Sequence, residues 1–126
     1  MKKIIQTENA PAPIGPYNQA VISGNTLYIS GQIPMDPKTG ELISGDIKKE
    51  TEQCLQNLKA ILDEAGMSFE NVVKSSIFLS DMNQFTQVNE VYANYFEAET
   101  APARETVEVA HLPKFVNVEI SMIAVK

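Results

Sequence analysis

Apolar residues in this chain recur with a period of two, then 3.6, then two again, a pattern that demands strands interleaved with helices. Asn18 to Ser23 and Thr26 to Gln32 alternate around Gly24-Asn25 and predict a hairpin with a two-residue turn. In its second strand Leu27, Ile29 and Ile33 point one way, and Tyr28, Ser30 and Gln32 the other, which puts Ser30 off the core face. The turn formers Pro34 to Gly40 make a loop. From Asp46, a candidate N-cap, Cys54, Leu55, Leu58, Ile61, Leu62 and Ala65 form one helical stripe that stops at Gly66. Val72 to Leu79 has the composition of a buried strand. A second stripe of Phe85, Val88, Val91, Tyr92, Tyr95 and Phe96 predicts a helix ended by Pro102. Arg104 to Ala110 and Val116 to Val125 then read as a closing hairpin joined through His111 to Phe115.

The order hairpin, helix, strand, helix, hairpin is that of an α+β domain, one mixed sheet with both helices on a single face. The 126 residues fit one domain spanning 1–126, with no room for separate cofactor and substrate domains. The last strand carries Val116, Val118, Ile120, Met122 and Ala124 on one side, and Ile123 and Val125 on the other. Both sheet faces are therefore partly apolar, and the uncovered one predicts a homo-oligomer.

Charge and side-chain inventory exclude several functions. A net charge of -6 repels polyanions, so nucleic acid is a poor partner. The one cysteine, Cys54, has no disulfide partner and lies on the apolar stripe of the first helix; the one histidine, His111, lies beside a turn. Zinc and Cys-His catalysis lose their ligands, no acidic cluster has calcium-loop spacing, and no glycine motif cradles phosphate, so no metal or other cofactor is expected. No apolar run approaches the roughly 20 residues that span a bilayer, and Met1 to Thr7 lacks the apolar core of a secretory signal. A cytoplasmic protein without a membrane partner is expected.

Arg104, Glu119 and Ser30 are each polar in an apolar neighbourhood. A charge in a buried strand is paired or functional, so Arg104 and Glu119 are either a structural ion pair or part of a site. Strand parity bears on the choice. Pairing with an odd residue sum, such as 106 with 121, brings Arg104 and Glu119 to one face, while an even sum separates them, barring a bulge.

Four stretches in order, Ile14-Gly15-Pro16-Tyr17, Ile29-Ser30-Gly31-Gln32-Ile33-Pro34, Pro102-Ala103-Arg104 and Val118-Glu119-Ile120 with Ile123-Ala124-Val125, resemble the RidA (YjgF) family of enamine/imine deaminases over essentially the whole chain. The resemblance implies a chorismate-mutase-like fold with a mixed six-stranded sheet and two helices on one face, assembled as a homotrimer with sites between subunits. It implies hydrolysis of 2-aminoacrylate and related imines, products of PLP-dependent dehydratases, to 2-oxo acids and ammonia. On that resemblance Arg104 grips the substrate carboxylate and Glu119 holds the attacking water and relays protons. Tyr17, Ser30 and Gly31 line the cleft, with Phe85 and Asn89 as its other wall. Each also has a plain structural reading: Tyr17 as a turn residue, Phe85 as helix core, Asn89 as solvated face. Many relatives carry cysteine where this chain has Thr106, which excludes an essential thiol and leaves a hydroxyl able to bond a carboxylate. RNA cleavage and non-catalytic sensing of small carboxylates are the rival functions.

Overall fold

The computed structural model describes residues 1–126. Six strands form one sheet: β1 (Lys2–Ile5), β2 (Ala20–Ser23), β3 (Thr26–Gln32), β4 (Val72–Leu79), β5 (Ala103–Glu108) and β6 (Val118–Val125), in the order β1-β2-β3-β6-β4-β5. Two helices, α1 (Ile47–Glu64) and α2 (Phe85–Tyr92), pack against one face. The α+β mixed sheet expected from the sequence is present. No helix is long and apolar enough to cross a membrane.

Local signals explain the elements that were foreseen. Asp46 caps α1 by accepting hydrogen bonds from the Lys48 and Lys49 amides at 3.0 and 3.3 Å. At the other end Gly66 takes φ +72°, and the Met67 and Gly66 amides bond the carbonyls of Leu62 and Asp63, closing the helix. β2 and β3 pair from Ser23 opposite Thr26, as the two-residue turn requires. Leu55, Leu58, Ile61 and Leu62 of α1 are buried with Val118, Ile120, Met122 and Ala124 of β6 in a cluster of 22 core residues.

Three expectations are corrected. β5 and β6 do not form a hairpin: β5 runs parallel to β4 at the sheet edge, and β6 enters between β3 and β4. The reason is burial, since β6 presents an uninterrupted apolar row to the helices and belongs in the sheet centre, whereas β5 has no buried residue. α2 ends at Tyr92, well before Pro102. There the Asn94 and Tyr95 amides bond carbonyls three residues back, and Tyr95 and Phe96 pack edge-on to Phe69 at 5.1 and 5.3 Å between ring centroids. Gln32 points to the core, not away from it: Ile29 pairs with Met122 and Gln32 with Ile120, so Ser30 and Gly31 together face Ser121 in a bulge that resets the alternation. β1, a short edge strand, gave no periodic signal because most of it is exposed.

Candidate active site

Arg104 sits on edge strand β5, on the helix-covered side of the sheet, opposite Ser75 of β4. Its guanidinium donates from Nη1 to Asn89 Oδ1 at 2.9 Å and lies 4.8 Å from the Tyr92 ring centroid and 5.7 Å from that of Phe85. These three residues occupy successive turns of one face of α2, so the helix offers Arg104 a polar tether between two aromatic plates. Tyr92 is fixed in turn by donating its hydroxyl to Ser75 Oγ at 2.9 Å, and burial pushes the Tyr92 pKa up. No carboxylate neutralises Arg104, as the ion pairs of the chain are Lys48–Glu90, Lys59–Asp63 and Lys74–Glu105. Thr106, two residues along the same face, holds a buried hydroxyl with no hydrogen-bond partner. A guanidinium without an anion, on the same strand face as an unsatisfied hydroxyl, has the donor chemistry to hold a small carboxylate.

Glu119 lies on the opposite side of the sheet, near the start of β6. Its carboxyl group packs on Gly31: a Cβ there would fall 2.7 Å from Glu119 Cδ and Oε2, so any larger residue would displace the acid from this position. Burial alone raises the Glu119 pKa, with no neighbouring charge or hydrogen bond opposing it. Ser30 precedes Gly31 in the bulge; its hydroxyl donates to the Asn18 carbonyl at 2.6 Å, and its amide bonds the Gln19 carbonyl at 2.9 Å. These bonds dock the segment bearing Tyr17, which is exposed and accepts from the Ile14 amide at 3.3 Å. Buried Gln19 secures the other end of that segment, bonding Thr7, Ala10 and Pro11 through its amide.

The expected site residues thus fall into two half-sites, Arg104 with Phe85, Asn89 and Thr106, and Glu119 with Tyr17, Ser30 and Gly31. The structural ion pair between Arg104 and Glu119 does not form. Neither register considered for β5 on β6 occurs, because β4 intervenes: Ser75 pairs with Arg104 and Met122, while Phe78 pairs with Val107 and Glu119. The two charges therefore project from opposite faces of the sheet. Phe85 is 36% exposed rather than core; Asn89 is exposed, as its solvated-face reading has it, and also bonds the guanidinium. The reading from residue types missed Tyr92 as a wall of the arginine site. Its signal was spacing, three residues beyond Asn89 on the face begun by Phe85. Also unused was the fact that Arg104 is the only arginine in the chain.

Residues 7–126 match the family model described as Endoribonuclease L-PSP. A RutC family protein of Pyrococcus horikoshii is 59% identical over 126 residues, covering 100% of this chain and 99% of its own. The 2-iminobutanoate/2-iminopropanoate deaminase of Bos taurus is 50% identical, covering 100% of this chain and 91% of its own. A Rid family protein from Yersinia pestis, of unknown function, superposes with a TM-score of 0.97 at 48% identity and full coverage of both chains.

Proposed function

From its membership of the Endoribonuclease L-PSP family, in which its relatives are RutC, RidA and YjgF proteins, we propose that this chain is a hydrolytic deaminase of small carboxylate-bearing imines and enamines. The observation that carries this reading is Arg104, a guanidinium beside the Phe85 and Tyr92 rings, tethered by Asn89 and left without an anion. The deaminase relative at 50% identity supplies the reaction class.

In the proposed reaction an enamine takes a proton from solvent at its β carbon to become the iminium, and an imine enters directly protonated. Water adds to the iminium carbon as Glu119 removes a proton from it. Glu119 returns that proton to nitrogen; as the C–N bond breaks and the carbonyl forms, Glu119 takes the hydroxyl proton and passes it to the departing ammonia, which leaves as ammonium. Arg104 binds the carboxylate in bidentate fashion and Thr106 adds a hydroxyl donor. The Glu119 charge, raised in basicity by burial, stabilises the iminium electrostatically.

Because the half-sites lie on opposite faces of one sheet, a complete cleft needs two subunits, with Arg104 from one and Glu119 from its neighbour. The face bearing Glu119 also exposes Tyr28, Val107 and Val125, at 48%, 39% and 39%, the apolar area a second copy would cover. A homotrimer closes this arrangement with three equivalent sites.

The test adds purified protein to a serine or threonine dehydratase reaction and follows 2-oxo acid release. Acceleration is expected, with Glu119→Gln slower by on the order of 100-fold while assembly and 2-oxo acid affinity persist. No acceleration would refute deaminase action, and binding without acceleration would establish a sensor. The family description also names RNA cleavage, against which stand the net charge of -6 and the absence of histidine from both half-sites.

A further inference from the structure

Glu119 occupies the weakly laddered end of β6. Pairing with β3 stops at Gln32 opposite Ile120, so Glu119 has a strand neighbour on one side only, Phe78 of β4. A carboxylate that must aim a water needs its backbone held to within about 0.5 Å, which a one-sided strand end does not provide. α1 provides it. Asn117 donates from Nδ2 to Glu50 Oε1 at 3.1 Å, and one helical turn further along the Cys54 thiol meets the Val118 carbonyl at 3.8 Å. Helix positions 50 and 54 thereby grip the two residues that lead into Glu119. Asn117 is also locked from the residue that follows β4: its Oδ1 accepts from the Ser80 hydroxyl at 2.9 Å and its carbonyl from the Ser80 amide at 3.1 Å.

Glu50 is 2% exposed, a carboxylate set into the buried stripe of α1 among Ile47, Cys54 and Leu58. A carboxyl group buried there is unfavourable unless it makes a contact that an apolar residue cannot. The contact it makes is Asn117. We propose that Glu50 is a positioning residue for hydrolysis, fixing the entry of β6 through Asn117 and so holding Glu119 against Gly31. This rests on the catalytic role proposed for Glu119.

The test uses the assembled protein and three variants. Glu50→Leu removes the acceptor and is expected to lower kcat by up to about a hundred-fold, the cost of a displacement near 1 Å, with KM unchanged because Arg104 is untouched. Glu50→Gln keeps an acceptor oxygen for Asn117 and is expected to stay within a few-fold of the parent. Asn117→Asp loses the donor and should behave like Glu50→Leu. Adding Glu50→Gln to it restores a donor-acceptor pair in the opposite sense and should rescue kcat. The 13C titration of the Glu119 carboxyl is read alongside; it should move toward the ordinary glutamate value in Glu50→Leu and not in Glu50→Gln. Equal losses in both Glu50 variants would make the charge, not the contact, responsible and overturn the proposal. So would parental kcat and an unmoved titration in Glu50→Leu. If Glu50→Leu fails to fold, rescue or its absence in the Asn117→Asp pair decides. If the parent turns over no imine, the deaminase reading falls while the titration still reports on positioning.

Discussion

At Arg104 the decisive property is geometry rather than charge. The guanidinium lies near the Phe85 and Tyr92 rings with Nη1 on Asn89, and its planar fork has further donors that a point charge lacks. Lysine in its place keeps the positive charge and loses the fork and the stacking. Arg104→Lys is expected to fold normally and to lose about ten- to hundred-fold in kcat/KM, mainly through KM, the scale of one charge-assisted hydrogen bond. Steady-state kinetics on a dehydratase-generated imine checks this, and an unchanged ratio would contradict it. Glu119 makes a prediction of opposite character. Burial raises its folded pKa above the unfolded value of about 4.3, so as a base it becomes competent later on the pH scale. The acid limb of kcat/KM is expected above the ordinary glutamate range and to vanish in Glu119→Gln. Stability moves the other way. A raised folded pKa contributes stability that is present below the unfolded pKa and lost as pH rises through the folded one. The parent should therefore melt relatively lower, compared with Glu119→Gln, across the same window in which activity appears. Parallel pH-rate and pH-melting curves would show whether the two trends cross.

At the scale of elements, what could be read in the sequence was what is decided locally. α1 announced itself by its Asp46 cap, its apolar stripe and Gly66, and β4 by its β-branched run, because these signals lie within the element. The placement of β5 did not, since a strand followed by a short link and another strand resembles a hairpin whether or not the two pair. The deciding information was distributed: β6 is apolar enough for the sheet centre, and the path through α2 returns β5 parallel to β4. The candidate site shows the same division. Arg104, Glu119 and their neighbours were recognisable as a set, but the separation into half-sites depended on that pairing. The bulge at Ser30-Gly31 was equally invisible to alternation, and it carries a prediction. A methyl at position 31 would meet the end of a flexible side chain, Glu119, rather than backbone, so the fold can yield by moving the acid. Gly31→Ala is expected to assemble and bind 2-oxo acid like the parent while kcat falls at least about tenfold, in line with a misplaced base. Kinetics with a binding titration checks it; full activity would show that the Glu119 position is not critical.

For the whole molecule, the opposed half-sites make the proposed shared cleft testable by mixing variants. Within one chain β4 stands between the strands of Arg104 and Glu119, and no side-chain rotation brings a guanidinium and a carboxylate around a sheet. If the cleft forms between copies, two individually inactive variants must complement each other. Arg104→Ala supplies an intact Glu119, and Glu119→Gln supplies an intact Arg104. In a cyclic trimer each interface joins the Arg104 side of one copy to the Glu119 side of the next. A mixed trimer of either composition then has one interface at which both residues are intact. Random reassembly of equal amounts is expected to restore about a quarter of parental activity, the fraction of interfaces that combine the two intact halves. The experiment unfolds the variants together, refolds them, and compares 2-oxo acid release with that of each variant refolded alone. Recovery near that fraction requires Arg104 and Glu119 to act across a subunit boundary. Activity no greater than that of the separate variants, in a preparation shown by mass to contain mixed trimers, would mean that each chain uses its own pair and would overturn the shared cleft.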